Sequence, residues 1–282
     1  MAFLTILLVL FIERALWNAA PYREHRWFSD YAAWTSARFS GAKSGWTVAL
    51  IILPPLLLIG WLQTSVLPAA GQLFEMTFAG LMLLLSLGPR DLGRDVEQYI
   101  ETRDRGRRAD SVSLAEQFDP GHPVQDPDQS VVRGILTGAC GRLIGPLFWF
   151  AVFGAAGAAA YRLAHLLNTQ GQVESNDHRL ARAAAGLTYV LDWVPMRITA
   201  AGYAVAGNFD AVAAAWKQCS QADGDADCPN DSDLVFATGY AALEQAGSRP
   251  AAVLIEDSLA LVWRNLTLWV VFAGAVTLFA SL

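Results

Sequence analysis

The run from Gly45 to Leu67, GWTVALIILPPLLLIGWLQTSVL, is 23 residues long and contains no ionisable side chain. At about 1.5 Å per helical residue it can cross the roughly 30 Å hydrocarbon core of a bilayer. Pro54 and Pro55 in its middle would kink a soluble helix, because proline removes a backbone donor and its ring collides with the preceding turn. Within a bilayer such a helix persists where neighbours satisfy the freed carbonyls. The run therefore reads as a transmembrane helix, and the chain as an all-α integral membrane protein.

Composition agrees. Hydrophobic residues make up 54% of the 282 and charged residues 16%, against about 25% charged in a soluble domain. Several of the ten Trp stand near the ends of apolar runs (Trp17, Trp46, Trp61, Trp149, Trp263), as in the aromatic belt at headgroup depth. Membrane lipid is thus the expected surrounding partner. The net charge of −6, with no basic tail, makes nucleic acid a poor one.

Three more runs read as spans. Leu73 to Leu87 follows a short Pro-Ala-Ala-Gly turn and completes a hairpin, with Glu75 near its start at the interface. Leu143 to Ala160 carries a stretch of Gly and Ala from Gly154 to Ala159 that lets another helix approach closely. Leu266 to Leu282 is the fourth. Two segments fit less well. Met1 to Ile12 is apolar but short, and Glu13-Arg14 follows it where a cleavable signal would have small residues, so it reads as a retained short helix. Leu187 to Gly207 has the length of a span but contains Asp192, Pro195 and Arg197. At about 2.5–3.5 kcal/mol per charge, simple lipid exposure is disfavoured. This segment reads as a broken or re-entrant helix packed inside the protein.

Charge sets an orientation within one polytopic domain over 1–282. Residues 13–44 carry Arg14, Arg23, Arg26, Arg38 and Lys43, and residues 88–142 carry eight Arg. Both flank the first hairpin on the same side, which the positive-inside tendency makes cytoplasmic. In 88–118, Leu92, Val96, Tyr99 and Ile100 form a narrow apolar stripe ended by Asp119-Pro120-Gly121, so 88–142 reads as a helical cytoplasmic lobe. Residues 208–264 are acidic and fit the periplasmic side. Cys219 and Cys228 lie there, and an oxidising compartment would let them close a disulfide, whereas a reducing one would keep them as thiols.

Motifs exclude much chemistry. Gly41-Ala42-Lys43-Ser44 is only a fragment of a phosphate loop, and no Gly-x-Ser-x-Gly, His-Glu-x-x-His or paired Cys-x-x-Cys occurs. Asp223, Asp225 and Asp227 resemble the start of a calcium loop, but Cys228 and Leu234 occupy the positions for Gly and the bidentate Glu. A solvated acidic turn is the better reading. The four His show no ligand spacing, and neither a metal nor a cofactor is expected.

The informative constellation runs from His178-Arg179-Leu180-Ala181-Arg182 into Leu191-Asp192-Trp193-Val194-Pro195-Met196-Arg197. His178 and Arg182 share a helical face. Val194 precedes proline and is biased away from helix, so one helix is expected to end near Asp192 and a second to begin at Pro195. A charged break at such depth is a candidate site for an anionic or amphiphilic ligand. It would use Arg162, His178, Arg179, Arg182, Asp192, Trp193 and Arg197, while Glu13 either faces the same cavity or anchors the first apolar segment at the interface. The competing reading is structural, an Asp192–Arg197 or Asp192–Arg162 pair.

These residues carry two resemblances. Phe3 to Leu8 with Glu13-Arg14, Pro146-Leu147-Phe148-Trp149-Phe150, Ala160-Tyr161-Arg162, His178-Arg179, Leu191 to Arg197 and Gly207-Asn208-Phe209 resemble the AmpE family, inner-membrane proteins of bacterial β-lactamase regulation. That resemblance implies a multi-pass protein of the bacterial inner membrane and a non-enzymatic signalling role in cell-wall recycling. It also implies a cell-wall-derived ligand and a partner protein in the β-lactam response. More distantly, Pro146-Leu147-Phe148, Tyr161-Arg162, Trp193, Pro195 and Arg197 are similar to the CobD/CbiB membrane synthases of cobalamin biosynthesis, which attach an aminopropanol arm to a corrinoid. The sequence departs from the synthase pattern at Leu136 to Arg142, which supply no carboxylate, and at Thr188-Tyr189, where that family has paired aspartates. The alternative is thus a membrane enzyme of the cobinamide-synthase type with an unknown substrate.

Overall fold

The computed structural model describes residues 5–10, 26–38, 44–88, 92–120, 123–173, 178–221, 230–243 and 250–280. Glu13, Arg14 and Cys228 lie outside them, as does half of the segment 1–12. Among the described residues every regular element is helical, so the all-α membrane fold holds. The helices divide into two compact units, 1–89 with 145–192, and 90–144 with 193–282.

In the first unit, α1 (Arg26–Arg38) and α2 (Ser44–Trp61) bury Phe28, Ala32, Val48, Ile51 and Ile52 together. The helical path of α2 continues through a π-helical turn at Leu62–Val66 to Ala70, where Gly71 turns it at φ 108. Then α3 (Gln72–Ser86) returns as the second arm of the hairpin. Pro54 and Pro55 do not end α2. The carbonyl that Pro54 frees is that of Leu50, and the Tyr31 hydroxyl donates to it at 3.2 Å. The expected span at 143–160 is not one helix. It divides into α7 (Gly145–Phe153, here numbered after the three helices of the second unit that precede it) and α8 (Ala155–Val173) at Gly154, whose φ of +66 only glycine adopts without strain. Gln63 bridges the break: its amide accepts from Ala156 N–H at 3.1 Å and donates to Phe153 O at 3.4 Å.

The largest departure from the sequence reading is at 187–207. Instead of a broken or re-entrant helix, α9 (His178–Ala206) runs through Pro195 without interruption. Pro195 frees the carbonyl of Leu191, and the indole Nε1–H of Trp149 donates to that oxygen at 3.0 Å. Replacing the missing backbone donor removes most of the reason to break. Trp149→Phe should therefore cost about 1 kcal/mol, the usual worth of one such bond in a membrane helix, read as a lower unfolding temperature in detergent. Stability unchanged within error would refute the rescue.

In the second unit, α4 (Leu92–Asp104) and α5 (Arg108–Phe118) are separate helices, because Gly106 turns the chain at φ 71 inside what reads as one apolar stripe. With α6 (Pro127–Ala139), the 193–206 part of α9, α10 (Phe209–Gln221), α11 (Asp231–Ala242) and α12 (Ala251–Ala280) they share one core. It includes Leu92, Val96, Phe118, Val131, Ile135, Leu136, Tyr203, Val235, Ile255 and Leu261. Gly134 admits Phe118 so closely that a Cβ there would lie 2.5 Å from the Phe118 Cβ. Asn265, fully buried on α12, donates to Thr199 O at 3.0 Å.

Among the described residues three helical stretches are long and apolar enough to cross a bilayer: Gly45–Ala70, Pro127–Phe153 and Ala251–Val276. Gln72–Ser86 is apolar but shorter. The expected fourth span at 266–282 thus begins earlier, within the single helix α12. Only 22% of the first and third windows is buried, and Leu57, Trp61, Val271 and Phe279 stand exposed. So much uncovered apolar surface is what lipid covers. The Pro127–Phe153 window is 56% buried, and its Arg133 and Arg142 are ion-paired, Arg133 with Asp119 and Asp233 and Arg142 with Asp95 at 3.1 Å.

Candidate functional site

The site is built on α8 and the first part of α9. Tyr161 and His165 stand four apart on α8, so both side chains lie on one face, with their rings 4.4 Å apart. Thr188 anchors α9 to α8 through its hydroxyl, which donates to Ala164 O at 3.4 Å. One turn further along α9, Asp192 meets that face. Its Oδ1 accepts from the Tyr161 hydroxyl at 2.5 Å and lies 3.0 Å from His165 Nε2. An oxygen that already accepts from a phenol favours the tautomer in which His165 Nε2 carries the proton and donates it. That leaves Nδ1 as the basic nitrogen.

Burial differs across the three groups. Tyr161 is 1% exposed and Asp192 6%, while the His165 side chain keeps 25% of its surface open. A fixed carboxylate and phenol therefore hold an imidazole that a reactant can reach. Tyr161 is seated by Gly145: a Cβ at that position would stand 2.2 Å from the ring Cζ and 2.3 Å from the hydroxyl.

Neither of the expected Asp192 pairs is the arrangement found. Asp192 takes Tyr161 and His165, and Arg197 belongs to a separate cluster in the second unit. Its guanidinium is 2.9 Å from Asp231 Oδ1, donates to Trp193 O at 3.1 Å, and lies 4.1 Å from the centre of the Trp193 ring. Continuous helix at Pro195 removes the geometric reason for one shared cavity. Arg179 and Arg182 are exposed on α9, Arg162 is half-buried on α8, and the side chain of His178 is outside the described residues, as is Glu13.

The acidic stretch beginning at Asp223 also differs from a solvated turn where it is described. Asp231 and Asp233, at the start of α11, are largely buried partners of Arg197 and Arg133. Cys219 is disulfide-bonded, Cys228 lies outside the described residues, and Cys140 is buried and keeps its thiol. On α4, burial first and then its hydrogen bond to Asp128, at 2.8 Å, push the Tyr99 phenol well above its ordinary pKa.

Sequence reasoning passed over Tyr161 as a site residue and set His165 aside with the other histidines. The available signal was their four-residue spacing beside Arg162. Among the described residues no three His, Cys, Asp or Glu side chains converge.

A family model described as CobD/Cbib protein matches residues 6–245. Among curated relatives, a cobalamin biosynthesis protein CobD of Stutzerimonas stutzeri is 29% identical over 301 residues, covering 95% of each chain. One of Chromobacterium violaceum is 27% identical over 210 residues, 71% of this chain and 61% of that one. One of Dehalococcoides mccartyi is 26% identical, covering 84% and 80% respectively. No solved structure gives a significant match. These matches overturn the AmpE reading, and with it the expectations of β-lactamase regulation and cell-wall recycling. The Pro-Leu-Phe, Tyr-Arg and Trp-x-Pro-x-Arg elements are shared by both resemblances, so they could not separate the two; similarity along nearly the whole chain does.

Proposed function

The chain belongs to the CobD/Cbib family, and from that premise we propose that it is a membrane-embedded enzyme of cobalamin biosynthesis of the cobinamide-synthase type. The observation that carries the reading is the Tyr161–Asp192–His165 constellation, a proton-handling unit where α8 and α9 pack together away from their ends. An amine that attacks an activated acyl carbon forms the C–N bond, expels the activating group and must lose a proton. His165 is the group to take it: Asp192 holds Nε2, fixes the tautomer, and stabilises the imidazolium that forms. Tyr161 holds the other side of the same carboxylate oxygen. Arg179 and Arg182, exposed and one turn apart on α9, suit an acidic, amphiphilic substrate. The location that fits is the inner membrane, crossed several times.

The role is tested in a strain whose own cobinamide-synthase gene has been deleted. The full chain should restore cobalamin-dependent growth without added cobalamin. Absence of growth, with the protein shown to be folded in the membrane fraction, would refute the proposal.

A further inference from the structure

Glu75 is unused by the constellation around Asp192. It sits in the first turn of α3, an otherwise apolar helix, and has no ion-pair partner among the described residues. Its side chain is exposed at the interface end of the hairpin, so a cation in the headgroup region can reach it.

Glu75 also lines a cavity of about 170 Å³, together with Thr5, Gln63, Gln72, Phe78 and Phe150. The cavity lies beside the Gly71 turn of the hairpin. Trp61, Leu73 and Phe74 around that turn are 58%, 76% and 63% exposed, the amphipathic and apolar surface expected where headgroups meet acyl chains. The Gln63 amide is committed at both ends to the Gly154 break, so it forms a fixed wall. The volume is that of about five to six waters at roughly 30 Å³ each. It accommodates an ammonioethyl group.

We propose that this cavity is a lipid site, in which Glu75 pairs with the primary ammonium of a zwitterionic phospholipid. The phosphate stays outside, and the acyl chains lie along the exposed apolar residues of the hairpin. A primary ammonium is a cation with three N–H donors, and the Glu75 carboxylate can accept from it and offset its charge. A phosphatidylglycerol headgroup of similar size has no cation for Glu75. The site rests on the membrane fold alone and is independent of the cobalamin reading.

Native mass spectrometry of the full-length protein in detergent, titrated with dioctanoyl phosphatidylethanolamine or dioctanoyl phosphatidylglycerol, tests it. The ethanolamine lipid should bind more tightly, and Glu75→Gln should weaken it by about tenfold or more while leaving the glycerol lipid unchanged. Ala79→Leu, which fills the same cavity and keeps the charge, should also weaken it, and it decides the matter if the Gln variant does not fold. Equal binding of the two lipids, or unchanged binding in a folded variant of either kind, overturns the proposal. So does displacement of the lipid by an equal concentration of free ethanolamine, which would show that the amine alone is recognised.

Discussion

Asp192→Asn should lower turnover by about 10²- to 10⁴-fold, the usual worth of a positioned acid–base group, while the protein stays folded. An asparagine oxygen can still accept from the Tyr161 hydroxyl and His165 Nε2, so the contacts at 2.5 and 3.0 Å survive the change. What disappears is the negative charge that stabilises His165 once it takes a proton. His165→Gln should match the loss, because it removes the proton acceptor itself. Tyr161→Phe should lose less, since the phenol only supports the carboxylate. Rates measured on purified full-length variants, with unfolding temperatures beside them, give the ordering. Full activity in either Asp192→Asn or His165→Gln would remove this constellation from the mechanism.

Gly145→Ala should strike fold and site together. A Cβ at 145 would stand 2.2 Å from the Tyr161 ring, and a ring that is 1% exposed has nowhere to retreat. Overpacking of this kind costs about 1–3 kcal/mol. Any relief obtained by moving the ring also pulls its hydroxyl off Asp192. The expected result is a lower unfolding temperature and a loss of activity larger than that of Tyr161→Phe, because the backbone of α8 shifts with the ring and carries His165. An alanine variant with parental stability and rate would show that the close approach has no consequence.

The hairpin was legible in the sequence because an uncharged run of 23 residues has few other fates. Other features depended on partners that local pattern does not reveal. Val194-Pro195 looks like a helix end when read alone. It is not one because Trp149, 42 residues before Leu191, supplies the donor that the Leu191 carbonyl lacks. The break at Gly154 is hidden by its neighbours, a stretch of small residues that reads equally well as a close-packing face. His165 offered no metal-like spacing, and its meaning comes from a carboxylate 27 residues further on. Asp192 itself was legible, since a charge in an apolar segment needs a reason. Its partners were mistaken because the nearest basic residue in sequence, Arg197, is held by Asp231.

The three side chains that repair the irregular helices share an order. Tyr31 precedes Leu50, Gln63 precedes Phe153 and Ala156, and Trp149 precedes Leu191. A chain made from its N-terminus thus has each repairing group already synthesised when the defective turn leaves the ribosome. No proline-freed carbonyl among these must wait in lipid for a donor still to be translated. Circular permutation that reversed one of these orders would leave the finished contacts possible but impose that wait, and its penalty would fall on the yield of inserted protein rather than on the stability of what is recovered.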